Sequence, residues 1–280
     1  MPPRREDGLG RILFPFDAAA LVIAVLLTVR TGVVGLWRLP VLAGFFLLAF
    51  AACMAAYYFV IFLISLTVDM KKPVQENHPL HRRIVFLATG HICRFARLRL
   101  HAEDWEWLPE GRFLAVSNHR SAYDPIAAVW ALRKTPTVFI TKPENYRIPV
   151  AGPMICSAGF LSIDREDPRE AMKTIQNAAN LLKNDVVSVG VYPEGTRNRE
   201  PENGLLPFHN GVFKIAQKAD APLVVMTVRG TEHIRDNWPW RPTDVTLHIC
   251  AVIPPEELKG STADVSRRVQ DLMERDLAAE

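Results

Sequence analysis

Cysteine is scarce here: the 280 residues contain four, at positions 53, 93, 156 and 250. None stands at metal-ligand spacing from another, and nothing pairs them into a disulfide framework, so they read as reduced thiols in a cytoplasmic setting. The eight histidines are equally scattered, with His78 and His81 flanking Pro79 in what reads as a loop, and no metal is assigned. No Gly-x-Ser-x-Gly elbow occurs, which argues against a serine hydrolase although Ser117 and Ser121 adjoin His119. No nucleic-acid-binding motif accompanies the basic residues and the formal net charge is only +3, so no nucleic-acid partner is expected.

The longest absence is of charge. From Leu39 to Val68 there is no Asp, Glu, Lys or Arg, and about twenty apolar residues suffice for a helix to cross the hydrocarbon core. A shorter apolar stretch, Ala18 to Val29, is bounded by Asp17 and Arg30. Joined by Gly32 to Pro40, the two predict a helical hairpin over residues 1–70 that either crosses a bilayer twice or dips into one leaflet. A cleavable signal peptide is the rival reading of the first segment; its acidic flank and the longer segment after it oppose that. Arg4, Arg5 and Arg11 precede the hairpin and Lys71, Lys72, Arg82 and Arg83 follow it, against Arg30 and Arg38 between the helices. Basic residues favour the cytoplasmic side, so both ends are expected there, on a cell membrane. Between Asp69 and Leu100 seven bases face only Asp69 and Glu76. Such a collar is attracted to anionic membrane lipids.

From residue 71 to 280 short apolar runs alternate with helical stretches. Strands are predicted at Leu98–His101, Phe113–Ser117, Thr137–Thr141, Phe160–Ile163, Val186–Tyr192, Leu223–Val228 and Val245–Val252. Helices are predicted at Leu80–Phe95, Pro125–Leu132, Pro168–Lys183, Val212–Ala219 and Thr262–Leu277. This is the pattern of an α/β domain with a mixed, largely parallel sheet covered by helices. Ligands of such sheets gather beyond the carboxyl ends of strands. Trp105, Trp107, Trp238 and Trp240 read as packing residues or interfacial anchors.

At one such strand end stands Asn118-His119-Arg120-Ser121-Ala122-Tyr123-Asp124. Pro125 fits the first turn of the following helix, where a missing N–H costs nothing. His119 and Asp124 then share a loop, and a carboxylate beside an imidazole fixes its tautomer and steadies the imidazolium, which is the equipment of a general base. The plainer alternative is a helix-capping Asp124 and an ordinary loop histidine. Three more clusters fall at predicted strand ends. One runs from Lys142 through Pro149 and Gly152 to Ile163-Asp164-Arg165. The second is Tyr192-Pro193-Glu194-Gly195-Thr196-Arg197; the third is Phe208-His209-Asn210-Gly211, followed by Ala221-Pro222. Taken singly, Asp164-Arg165 and Glu194–Arg197 read equally well as surface ion pairs or turn residues.

In this order and at these spacings the clusters resemble the glycerolipid acyltransferase family, within it the enzymes that acylate 1-acylglycerol-3-phosphate, over roughly Phe113 to Val228. Asn118-His119 with Asp124 matches the family's His-four-residues-Asp signature. Lys142, Pro149, Gly152 and Ile163-Asp164-Arg165 match the second block, Pro193 to Arg197 the third, and Pro222 the fourth. The resemblance implies transfer of a fatty acyl group from acyl-coenzyme A or acyl carrier protein to the free hydroxyl of a lysophospholipid, giving phosphatidic acid, with no cofactor. It implies that His119 is the base and Asp124 its orienting acid, and that no acyl-enzyme forms. Substrate-binding positions carried over are Asn118, Lys142, Arg165, Glu194, Gly195, Thr196, Arg197 and Pro222, with the acceptor phosphate near Arg165 and Arg197 and the acyl group or its donor near Pro222. Tyr192 stands where phenylalanine is usual, Asn198 where serine is common, and His209 where many members carry lysine. The alternatives are a related reaction on another lysolipid or polar-lipid acceptor, and a non-enzymatic membrane adaptor that keeps the fold.

Overall fold

Alternating apolar runs and helical periods produce a sheet with helices packed on it. The structure, a computed structural model, describes residues 4–5, 11–70, 78–164, 166–200 and 204–279. It divides into two compact units: a smaller one, Asp7–Asp69, and a larger one that consists of Met70–Glu280 and includes the strand at Arg4–Arg5. Arg165, and Lys71 and Lys72 of the collar, lie outside the described residues.

The strands are β1 (Arg4–Arg5), β2 (Leu98–Glu103), β3 (Leu114–Ser117), β4 (Thr137–Thr141), β5 (Leu161–Ser162), β6 (Ser188–Val191), β7 (Leu223–Arg229) and β8 (Thr243–Ile253). The helices are α1 (Phe14–Arg30), α2 (Arg38–Leu66), α3 (Pro79–Phe95), α4 (Asp124–Ala131), α5 (Ala151–Ser157), α6 (Pro168–Lys183), α7 (Lys214–Ala219), α8 (Ile234–Asn237) and α9 (Thr262–Ala278). Sheet order is β1-β2-β8-β7-β3-β6-β4-β5. Strands β7, β3, β6, β4 and β5 are parallel neighbours, whereas β8 runs antiparallel to β7 and β2 runs parallel to β8. The carboxyl ends of five strands therefore share one edge of the sheet. The starts of β8 and β2 lie on that same edge, since Arg229 pairs with Thr246 and Leu98 with Thr243. Every residue of β3 and β6 is buried, as expected of central strands covered on both faces.

All seven predicted strands and all five predicted helices are present, with ends shifted by no more than two residues. Strand β1 and helices α5 and α8 are additions. Helix α5 can pack on the turn before it only because residue 152 is glycine: a Cβ there would stand 2.0 Å from the Tyr146 carbonyl oxygen. In the smaller unit α1 and α2 pack against each other as antiparallel helices, with the Phe16 and Tyr57 rings meeting edge to face at 5.3 Å. Ala20 and Ala24 are fully buried there, while many large apolar side chains of α2, Leu47, Leu48, Phe59 and Phe62 among them, are exposed. Among the described residues one helical stretch, Gly35–Leu66, is long and apolar enough to cross a membrane.

Candidate active site

The loop between β3 and α4 is held by one carboxylate. Asp124, fully buried, is the first residue of α4, and its Oδ2 accepts hydrogen bonds from His119 Nδ1 at 2.8 Å, the Arg120 N–H at 2.6 Å and the Ser121 N–H at 2.7 Å. The Thr231 hydroxyl donates to Oδ1. This one carboxylate thus gathers four donors and fixes the loop around it. It also fixes the His119 tautomer, because a ring nitrogen facing a carboxylate must carry the proton. Nε2 is left with a lone pair, on a ring whose side chain is 17% exposed.

Three further contacts hold His119. Its N–H donates to Glu194 Oε1 at 2.6 Å, and its carbonyl accepts from the Asn198 N–H at 2.7 Å. Glu194 Oε2 accepts from the Leu206 N–H, so this carboxylate ties the catalytic loop to residues 204–206. Burial pushes the Glu194 carboxyl above the ordinary carboxylate range, against the opposing pull of its two backbone donors. The imidazole stacks on the Tyr192 ring at 4.5 Å between centroids, and Tyr192 stacks on Phe139 at 5.9 Å. Gly190 makes that pile possible, since a Cβ there would lie 2.3 Å from the Phe139 ring. Burial drives the Tyr192 phenol far above its usual value, so it serves as a neutral platform.

Asn118, predicted to bind substrate, is instead shut inside the sheet. Its side-chain amide donates to the Val228 carbonyl and accepts from the Val228 N–H, copying a strand pairing between β3 and β7. That bond fixes where β3 ends and hence where His119 stands. Glu194, also predicted to bind substrate, spends both oxygens on backbone N–H groups and supports the loop. Sequence reasoning missed the turn after β7. There Gly230, at φ +85 and with no room for a Cβ beside the Asp244 carbonyl, aims Thr231 at Asp124 and brings Glu232 Oε1 within 2.8 Å of Arg120 Nη1. The sequence signal was there, in a Gly-Thr-Glu at the end of a strand parallel to β3.

The remaining predicted residues separate by strand end. Gly195 follows β6 at φ +74 and donates its N–H to the Tyr192 carbonyl, closing a turn that leaves Thr196 and Arg197 exposed. The Arg197 guanidinium has no partner among the described residues. Lys142, exposed, follows β4, two strands from β3 and so about 10 Å across the sheet. Pro222 does not fit the role expected of it. It precedes β7, and the pairing of Leu114 with Leu223 puts it beside Phe113 at the opposite edge, roughly 16 Å along β3 from Asn118. Its carbonyl accepts from the Leu114 N–H, so it registers β7 against β3. Among the described residues no group of three or more His, Cys, Asp or Glu is arranged to hold a metal ion. All four thiols are free, and burial pushes those of Cys93 and Cys250 up to about 12, far from nucleophilic thiolates.

This geometry has counterparts. The family model described as Acyltransferase matches residues 97–229. The 1-acyl-sn-glycerol-3-phosphate acyltransferase of Haemophilus influenzae is 30% identical over 171 residues, 60% of this chain and 69% of that one. The protein of the same name from Salmonella typhimurium is 30% identical over 172 residues, covering 60% and 68%. The chain is also similar in fold to the crystal structure of the 1-acyl-sn-glycerophosphate acyltransferase of Thermotoga maritima, with a TM-score of 0.57, 22% identity, and coverage of 80% of this chain and 89% of that one.

Proposed function

The chain belongs to the glycerolipid acyltransferase family and is an acyltransferase, and on that premise we propose that it moves a fatty acyl group from acyl-coenzyme A or acyl carrier protein to the free hydroxyl of 1-acylglycerol-3-phosphate, giving phosphatidic acid. The observation that carries this reading is the bond from His119 Nδ1 to Asp124, which leaves Nε2 as the base. Nε2 removes the proton of the acceptor hydroxyl as its oxygen attacks the thioester carbonyl carbon. The resulting tetrahedral oxyanion collapses, the carbon–sulfur bond breaks, and the imidazolium returns the proton to the departing thiolate. No covalent enzyme intermediate is required, which agrees with cysteines whose thiols stay protonated.

A phosphate needs charge-assisted donors, and the guanidinium of Arg197, unpartnered among the described residues and one strand from His119, supports a bidentate contact with it. Lys142 on the same edge adds a second positive charge. Helix α2, uncharged after Arg38, supports an anchor: its 29 residues measure about 43 Å against a hydrocarbon core of about 30 Å. The basic residues before and after the two helices support a position of the larger unit on the cytoplasmic face of a membrane, where acceptor and product, both lipids, are at hand.

The test is His119→Ala in the purified chain, followed by free-thiol release from acyl-coenzyme A with lysophosphatidic acid present and by mass spectrometry of the lipid product. Release and phosphatidic acid should both vanish. Turnover that survives the substitution overturns the assignment of the base, and thiol release by the wild type without any acceptor would point to hydrolysis instead.

A further inference from the structure

The edge of the sheet that carries His119 also carries a patch the reaction does not use. The segment from α8 to β8 holds Trp238 at 55% and Trp240 at 83% exposure, and Phe95, at the end of α3, stands half exposed beside them. This is not a loose loop. Trp238 Nε1 donates to the Phe95 carbonyl at 3.1 Å, Arg97 Nη1 donates to the Pro239 carbonyl at 2.8 Å and reaches that of Trp240 at 3.3 Å, and the Thr243 N–H closes back on the Arg97 carbonyl. The backbone is thus fixed while two indoles are presented outward. Exposed aromatic surface held in this way marks a contact site.

Charge says what kind of contact. Arg94, Arg97, Arg99, Arg235 and Arg241 are exposed in and around the patch, against Asp236 and Asp244. Indoles set among arginines suit the boundary between acyl chains and anionic head groups, where an amphipathic ring has one apolar side and one wet side. Across the same edge, beyond β4, Ile148 is exposed beside Arg147 and Lys142, so similar chemistry flanks His119 on both sides. By contrast Trp105 and Trp107 follow β2 at the opposite edge, and the Trp105 indole is bonded to the Leu247 carbonyl.

We propose that Trp238, Trp240 and Phe95, with the arginines around them, form a second membrane contact, on the catalytic unit itself and separate from the hairpin, that seats the His119 edge on an anionic lipid surface. The contact lies about three strands, roughly 14 Å, from β3. A lipid acceptor then meets the catalytic edge without leaving the bilayer. The inference rests on the proposed reaction only for its kinetic consequence.

The experiment uses the full chain reconstituted in vesicles of phosphatidylcholine and phosphatidylglycerol. Trp240→Phe is compared with wild type when part of the lipid carries bromine near the head of its acyl chains. The difference in emission isolates one indole, and bromine should quench most of it; a difference emission insensitive to bromine overturns the proposal whether or not the chain turns over. The kinetic arm is Trp240→Ser. It should lose about tenfold in rate on a long-chain acceptor held in the bilayer while keeping its rate on a dispersed short-chain acceptor. Equal loss on both acceptors, or no loss on either, refutes the contact.

Discussion

Replacing Asp124 by asparagine separates the carboxylate's charge from its hydrogen-bond geometry. Oδ2 accepts from the His119 ring, Arg120 and Ser121, whereas Oδ1 meets only the Thr231 hydroxyl. An amide whose oxygen takes the Oδ2 position keeps all three N–H bonds, and its NH2 then faces a hydroxyl that can turn and accept. His119 keeps its tautomer, and only the negative charge beside the imidazolium is lost. At about 4 Å between charge centres and an effective dielectric of about 20, that attraction is worth about 4 kcal/mol, or roughly a thousandfold in rate. Solvent reaches the ring and screens part of it, so kcat for thiol release should fall about 30- to 1000-fold at constant protein stability. Asp124→Ala provides the control, because it strands two backbone N–H groups and must lower the melting temperature as well. If the asparagine variant keeps more than a tenth of wild-type kcat, the charge of Asp124 is not what supports the base. If it melts as early as the alanine variant, the amide does not sit as argued.

Two further substitutions probe the supports. Thr231→Val removes the donor to Asp124 Oδ1, a hydrogen bond to a charged group worth about 1.5–3 kcal/mol, so kcat should drop about tenfold or more while Thr231→Ser keeps its rate; equal rates for the two variants would assign the site to packing. Gly195→Ala forces a side chain into the left-handed region at a cost of about 1–2 kcal/mol, which should lower the melting temperature by roughly 2–8 °C and raise KM for the phosphate-bearing acceptor through the displaced Arg197. An unchanged KM would detach that turn from acceptor binding.

Most of the fold was legible because its elements obey simple periods. The central strands β3 and β6 are apolar but for one serine each, and α6 announces itself with Asp167 capping the Arg169 and Glu170 N–H groups and a proline in its first turn. Strand β1 was not legible: two arginines at a sheet edge carry no apolar pattern, and only their pairing with His101 and Ala102 makes them a strand. Helix α5 is seven residues long and contains Gly152 and Pro153, so it shows no helical period; the preceding turn and the Tyr146 contact make it.

The meeting of His119 with Asp124 was legible for a different reason: only four residues of chain lie between them, and a strand-to-helix loop leaves them little choice but to meet. Their supports come from 75 to 110 positions away, where only strand order decides who is adjacent. Asn118 and Glu194 were expected to face substrate and instead bond backbone groups, because a polar residue beside His119 looks the same in sequence whether it faces a ligand or a backbone amide. Pro222 shows that direction alone can settle such a question. The apolar run Leu223–Val228 begins after it, so in a strand parallel to β3 it must lie at the amino end, and ligands of parallel sheets collect at the other. The same reasoning turns toward the residues that follow β7, and it leads from Arg229 directly to Gly230, Thr231 and Glu232, the turn that grips Asp124 and Arg120.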